Sequence, residues 1–439
     1  MSFAKKTASS VSPLAQIKAL ENDPALLAQC EKYLPPNYDF EIAKTVWRIK
    51  KTAECNTVAL QMPEGLLIFA SKIAQVLHAL TGVDTILMGD VTYGACCVDD
   101  FTASLLGAQL LVHYGHSCLV PTSVANRIET IYVFVTIKFN VESAIESISS
   151  LMQSSELEAK LKTGNRGRII EEEKDVPEDK VKVALVSTIQ FANSLAAIKQ
   201  GLEAGNGNEE IGRKHIMVNI PRSKPLSAGE ILGCTAPKVG DDVIIYVGDG
   251  RFHLEAMMMA NPAMLAYRYD PYNRSLTEEI FDHGALSVSR QSSVAPLISA
   301  EMGRKRLKIG IIQGTLGRQG NPKPVEHVYN KLSERHDCFI ILMSEVIPAK
   351  LALFKDVDLW VQFACPRLSI DWGNAFQVPI LTPFEAMWGS RNCGDGCSGN
   401  QSSSCEYKGH PMDYYAYESL GPHTPNFMPP KPPKPVKVV

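Results

Sequence analysis

Apolar and polar positions along the chain fall into a recurring order: a short apolar run, a turn, then a stretch with helical spacing. The run Thr57–Gln61 ends in the turn Met62-Pro63-Glu64-Gly65, and the spacing beyond it predicts a helix from Leu66 to Leu80. The same opening recurs at Val183–Val186, before a predicted helix over Asn193–Gly201, and again at Leu307–Gln313. Each opening is followed by a further apolar run: Ile86–Met88, Ile216–Val218 and Phe339–Leu342. Two more runs, Leu110–Gly115 and Val243–Gly248, end in glycine. Short apolar strands alternating with helices imply parallel sheets covered by helices on both faces.

The expected fold is therefore α/β: three tandem homologous units with parallel sheets, arranged around a pseudo-threefold axis with a shared site at the centre. The boundaries expected from the pattern are an N-terminal extension over 1–40 and a first unit over 41–154. A charged linker over 155–181 contains Glu171-Glu172-Glu173-Lys174-Asp175, and a second unit spans 182–300. A third unit spans 301–390, and a flexible Gly/Ser/Pro-rich tail takes up 391–439. Within the extension a short helix is predicted from Pro24 with Asp23 as its cap, stopped by Pro35 and Pro36.

Composition narrows the class. A length of 439 residues argues for more than one domain, and 45% hydrophobic residues suffice for large cores. The 44 basic and 47 acidic residues leave a net charge of -3, too little to grip a nucleic-acid backbone, so no nucleic-acid partner is expected. No apolar run approaches the roughly 20 residues that span a bilayer. The best candidate, Phe339–Phe354, is interrupted by Glu345 and Lys350, so no membrane association is expected. Behind Lys5 and Lys6 there is no long apolar stretch of the kind a secretory leader carries, which points to a cytoplasmic protein. Eleven scattered cysteines are an odd number and form no paired framework, which fits reduced thiols available to metals.

Three of those cysteines recur at near-equal intervals: Cys234 follows Cys96 by 138 residues, and Cys365 follows Cys234 by 131. Each is expected in the same loop of its unit, at the C-terminal ends of the strands where α/β sheets bind ligands. Three thiolates meeting at a centre would leave a fourth metal position without a protein ligand. Soft sulfur donors select zinc or an iron-sulfur cluster, and a structural all-cysteine zinc site would take four. The plain alternative is that each is a buried free cysteine, a common fate of that residue type. Spacing does not separate Cys96 from its neighbour Cys97, whose side chain would point to the opposite face of extended chain. Cys30, Cys55, Cys118 and Cys338 have no counterparts in the other units and are expected to be structural. Cys393, Cys397 and Cys405, spaced C-x3-C-x7-C in the tail, could bind zinc or exchange thiols, with His410 as a loose fourth ligand.

The cysteine contexts are Tyr93-Gly94-Ala95-Cys96-Cys97-Val98-Asp99-Asp100, Gly229-Glu230-Ile231-Leu232-Gly233-Cys234-Thr235 and Ala364-Cys365-Pro366-Arg367-Leu368-Ser369-Ile370-Asp371-Trp372-Gly373. With Met62–Leu66, His113–His116 and Gly248–His253, they resemble the 2-(3-amino-3-carboxypropyl)histidine synthase family, in its eukaryotic subunit 1 branch, from about residue 36 to 390. The resemblance implies that Cys96, rather than Cys97, is the first ligand of a [4Fe-4S] cluster, with Cys234 and Cys365 the second and third. The complete set favours the catalytic subunit over its homologue, subunit 2.

It further implies a transferase that moves a 3-amino-3-carboxypropyl group from S-adenosylmethionine to a histidine of translation elongation factor 2, through a radical, in the first step of diphthamide biosynthesis. The implied partners are subunit 2 in a heterodimer, elongation factor 2 as substrate, and a small metal-binding electron donor. Arg367, beside the third cysteine, has the fork geometry to hold the substrate carboxylate, the other reading being a salt bridge to Asp371. Gly248 and Asp249 are further substrate-binding candidates. So are Gly317 and Arg318 in the glycine-rich stretch Gly314–Gly320, which lacks the lysine and hydroxyl pattern of a P-loop. His113, His116 and His253 are expected near strand ends, facing the acceptor or simply satisfied within the structure. Two other classes compete: a quinolinate-synthase-like [4Fe-4S] enzyme, and a non-catalytic scaffold stabilised by metal.

Overall fold

A computed structural model describes residues 12–163, 180–204, 215–391 and 409–429. The chain divides into two compact units, Met1–Lys138 and Phe139–Val439. Among the described residues no helix is long and apolar enough to cross a membrane.

In the first unit the predicted N-terminal helix is present as α1 (Pro24–Tyr33), its first turn capped by the Asp23 carboxylate accepting from the Ala25 N–H at 2.8 Å. Four strands follow: β1 (Thr57–Gln61), β2 (Asp84–Met88), β3 (Leu110–Tyr114) and β4 (Glu129–Val133). They pair in the order β2-β1-β3-β4, all parallel. Alternate residues serve the two faces, as a pleated strand requires. Val58, Leu60, Leu110 and Val112 pack on one side with helix α2 (Leu67–Thr81) and its buried Ile73 and Leu77. Ala59 and Leu111 pack on the other side with Val98 and Ala103. Burial on both faces explains why these strands are continuous apolar runs.

The second unit begins earlier than the sequence pattern suggests. Helix α3 (Val141–Met152), expected at the end of the first α/β unit, lies here, and Ile145 fits against Gly201 where any Cβ would come within 2.3 Å of it. The expected linker is partly a helix, Ser155–Thr163, whose Lys160 pairs with Glu156 at 2.8 Å and Glu278 at 2.6 Å. Its acidic run, 171–175, lies outside the described residues.

This unit contains two sheets. The first consists of β5 (Lys180–Ser187), β6 (His215–Asn219), β7 (Val243–Val247), β8 (Leu265–Asp270) and β9 (Ser275–Glu279), ordered β6-β5-β7-β8-β9 with only β9 antiparallel. Helix α4 (Phe252–Ala260) follows β7, and the long α5 (His283–Gly303) follows β9. The second sheet consists of β10 (Lys308–Gly314), β11 (Asp337–Met343), β12 (Leu359–Phe363) and β13 (Ile380–Leu381), ordered β11-β10-β12-β13 and parallel. Between β12 and β13 lies α6 (Pro366–Trp372), and α7 (Pro383–Gly389) follows β13.

All three sheets are wound alike, with the first strand central, the second at an edge, and the third and fourth on the far side. The strand order is therefore common to the three sheets. Two of the three sheets nevertheless share one compact unit, because α5 packs Val294 and Leu297 into the core of the second sheet. From α5, Arg290 also bonds the Ser369 carbonyl at 2.7 Å, the Ile380 carbonyl at 3.0 Å and both Glu385 carboxylate oxygens at 2.7 Å, all with no exposed side-chain surface on Arg290 or Glu385.

The tail departs from expectation over 409–429. Met412, Tyr414, Tyr415 and Ala416 are buried, Met412 within the core of the β5–β8 sheet. An aromatic, apolar stretch has a core to enter here, so Pro and Gly at its flanks do not leave it extended.

Candidate metal centre

The crevice of a sheet wound in this order opens at the carboxyl ends of its first and third strands, where successive connections leave in opposite directions. All three sequence-selected cysteines lie at such a position in their own sheet, but not in the same connection. Cys96 follows β2 and Cys234 follows β6, both second strands, whereas Cys365 comes two residues after β12, a third strand. The expectation of one equivalent loop in all three is thus corrected. Leu359–Phe363 is an additional buried strand between Phe339–Leu342 and the cysteine.

In the first unit the Cys96 loop closes as a 3-10 turn, Ala95–Cys97, rather than extended chain. Cys97 is buried while Cys96 is half-exposed, their sulfurs 3.9 Å apart, so Cys96 is the thiol presented outward. Gln61, the last residue of β1, pins the loop. Its Nε2 donates to the Cys97 carbonyl at 2.9 Å, and its Oε1 accepts from the Asp99 N–H at 3.2 Å. The same oxygen lies 2.9 Å from Nδ1 of His113, and Nε2 of His113 lies 2.9 Å from Nδ1 of His116.

Burial first, and His116 second, hold His113 well below the ordinary histidine pKa, so its ring is neutral. With Gln61 accepting, His113 carries its proton on Nδ1, and its Nε2 accepts a hydrogen bond from the Nδ1–H of His116. His113 is thus satisfied inside the protein, the plainer of its two expected roles.

In the second unit Cys234 and Cys365 are electrostatic neighbours. Loss of solvent and then the charge of Cys365 push the Cys234 thiol up to about 12. The Cys234 loop is tacked to the end of β5: the Ser187 N–H donates to the Gly229 carbonyl at 2.8 Å and the Ile231 N–H to the Ser187 carbonyl at 3.0 Å. Cys365 precedes α6, and Gln362 Nε2 holds its carbonyl at 2.8 Å and the Ser369 hydroxyl at 2.9 Å.

Arg367 ties the two loops together. Its Nε donates to both Asp371 oxygens at 2.9 Å, one Nη to the Phe252 carbonyl at 2.7 Å and the Gly233 carbonyl at 3.3 Å, and the other Nη to Glu255 at 2.5 Å. The guanidinium, 3% exposed, lies 4.2 Å from the Phe252 ring centroid. The salt-bridge reading is the geometry observed, with a second carboxylate added. Phe252 also explains Gly233, since a Cβ there would sit 2.1 Å from its ring. Burial and then Arg367 bring His253 down to about 4, leaving it neutral.

The remaining candidates line strand ends. The Gly248 N–H donates to the Tyr269 carbonyl at 3.0 Å, and the Asp249 carbonyl accepts from the Tyr246 hydroxyl at 3.4 Å. Gly317 takes a φ of 55°, and a Cβ on Gly320 would meet the Gly314 carbonyl at 2.0 Å, so the segment holding Gly317 and Arg318 is a close-packed turn.

Cys30 and Cys55 pack on the first core and Cys338 on that of the β10–β13 sheet, while Cys118 is exposed. Cys393, Cys397 and Cys405 lie outside the described residues. Neither unit gathers three His, Cys, Asp or Glu side chains into a metal site among its described residues. Sequence reasoning missed Gln61, Gln362 and Glu255. The signal for the two glutamines is a polar residue at or beside the end of an otherwise apolar strand.

The comparisons with known proteins agree with one another. A sequence model of the family described as putative diphthamide synthesis protein matches residues 62–391. The 2-(3-amino-3-carboxypropyl)histidine synthase subunit 1 of Nematostella vectensis is 47% identical over 90% of this chain and 74% of its own length. The human protein of that name is 45% identical over 90% and 79%, and that of Caenorhabditis elegans 43% over 93% and 92%. Among solved structures, Dph2 from Pyrococcus horikoshii with a 4Fe-4S cluster superposes with a TM-score of 0.59 at 24% identity, covering 80% of this chain and 90% of that one.

Proposed function

This chain belongs to the diphthamide synthesis protein family, as a transferase of the 2-(3-amino-3-carboxypropyl)histidine synthase subunit 1 group, and from that premise we propose that it catalyses the first step of diphthamide formation. In this reading Cys96, Cys234 and Cys365 jointly hold one [4Fe-4S] cluster, the three sheets being arranged about a pseudo-threefold axis. The observation that carries it is the placing of each thiol at the crevice of a sheet wound in the same order, with the Cys234 and Cys365 loops joined through Arg367. The donors fit the group. None of the three is tied up in a disulfide, sulfur is the ligand iron-sulfur clusters take, and Arg367 stands by Cys234 to offset thiolate charge.

When bound, the cluster supplies one electron to the sulfonium of S-adenosylmethionine and an iron free of protein ligands for its methionine end. The bond between sulfur and the methionine γ-carbon breaks, methylthioadenosine leaves, and the carbon radical bonds to C2 of a histidine imidazole on elongation factor 2. The ring adduct would give its extra electron back to the oxidised cluster and its C2 proton to water, so that the transfer as a whole is redox-neutral.

The chain's own residues orient and enclose. Arg367 fixes the Cys365 helix to the Cys234 loop, and Gln61 with His113 fixes the Cys96 loop. Gly248, Asp249, Gly317 and Arg318 border the crevices in which the nucleoside and the amino acid would lie. The reading includes a cytoplasmic location, a homologous second subunit and a small metal-binding electron donor.

The test is transfer by anaerobically reconstituted protein paired with subunit 2, using labelled S-adenosylmethionine. Label on elongation factor 2, matched by released methylthioadenosine, is the expected result. Unlabelled elongation factor with no methylthioadenosine would sink the proposal and favour a dehydrating-condensation enzyme. A colourless zinc protein without acid-labile sulfide would favour a scaffold.

A further inference from the structure

Residues 409–429 lie beyond the family match, which ends at 391, yet they are bonded to the Cys234 loop one residue after another. Asp413 forms an antiparallel bridge with Thr235. The Tyr414 N–H donates to the Cys234 carbonyl at 3.2 Å, the Ala236 N–H to the Met412 carbonyl at 2.8 Å, and the Tyr415 N–H to the Thr235 hydroxyl at 3.0 Å. Thr235 has no exposed surface. Both flanks of this contact are anchored. The Tyr417 N–H donates to the Lys224 carbonyl at 2.8 Å, at the start of the same loop. His410 lies 3.2 Å from Glu385, which Arg290 holds from the other side.

Beside Cys234 the segment closes over a cavity of ≈ 20 Å³ lined by Phe384, His410, Met412 and His423. That is room for about one water, and the buried Nε2 of His423 has no hydrogen-bond partner among the described residues.

We propose that 409–429 is a strap that sets the position of Cys234, so that the metal centre is built partly from chain outside the family's common region. Arg367 braces the residue before the cysteine, through the Gly233 carbonyl, and the strap braces the cysteine itself and the two residues after it. A ligand loop held on both sides keeps its thiol in place before any metal arrives, which is the preorganisation a cluster site needs. The inference rests on Cys234 being a ligand.

The experiment compares the full chain, metal-free, with Tyr414→Pro, which lacks the N–H that Cys234 receives, and Thr235→Val, which lacks the hydroxyl that Tyr415 needs. Hydrogen exchange at 234–236 and alkylation of Cys234, followed by peptide mapping, should each accelerate by about tenfold or more. Exchange in β10 and β12 should stay unchanged, and iron bound after reconstitution should fall. Unchanged exchange and alkylation in both variants would overturn the strap. Cys234→Ala, with the strap intact, tests the premise separately: full iron retention there would overturn the ligand reading on which the inference rests.

Discussion

The Cys96 loop and the paired Cys234 and Cys365 loops hold thiols in similar places by different means. Around Cys96 the restraints are neutral and local, a glutamine from the neighbouring strand end and a histidine behind it. Around Cys234 and Cys365 they are charged and long-range. Arg367 is locked between Asp371 and Glu255, and Arg290 between Glu385 and two carbonyls. Neutral hydrogen bonds contribute about 1 kcal/mol each, whereas an ion pair this buried costs several kcal/mol to break from one side. The Cys234 and Cys365 loops of the second unit are therefore held more rigidly than the Cys96 loop of the first.

The largest blow to that contrast should come from Arg367→Met, which leaves Glu255 and Asp371 without their cation. We expect a loss of about 3–5 kcal/mol in urea unfolding of the second unit, with the Cys96 loop unaffected by hydrogen exchange. An unaltered midpoint would mean the charged brace is not what holds the two loops.

Acid should act next, and on both sides. Burial holds His253 and His423 at about 4, against an ordinary value of 6.5. A histidine depressed in the folded state contributes stability that is full above the unfolded pKa and drains away as pH falls from 6.5 toward 4. Between pH 7 and about pH 4.5 each should cost about 2 kcal/mol, read as a lower urea midpoint, with His113 acting in the same direction in the first unit. A midpoint independent of pH over that range would contradict the neutral, buried assignment.

The smallest effect is expected from Gln61→Ala, about 1–2 kcal/mol, because His113 and the Cys97 carbonyl lose a neutral partner each. Its signature should be local, with faster exchange at Asp99 and no change at Ala236. Equal acceleration at both would erase the distinction between the two kinds of site.

Much of this was legible in the sequence because strands buried on both faces are written as unbroken apolar runs, and because the cysteine contexts are specific. The third cysteine's connection was misread since Leu359–Phe363 abuts Cys365 with no turn residues between. The packing of α3 on Gly201 left no mark in the pattern, because the helix follows the first sheet in sequence. Arg367's partners were half visible. Asp371 sits one helical turn away, whereas Glu255 lies 112 residues distant and nothing in the pattern links them. The packing of 409–429 left no periodic trace, because one isolated bridge and a few backbone bonds impose no alternation on the residues that make them.

That last contact also has a bearing on synthesis. The partner of Thr235 lies 180 residues downstream. At about 5–20 residues per second on the ribosome, the Cys234 loop emerges about 10–40 s before the chain that clasps it. During that interval the thiol belongs to an unfinished loop, exposed to oxidants and to stray metals, and it becomes guarded only once 409–429 has been made.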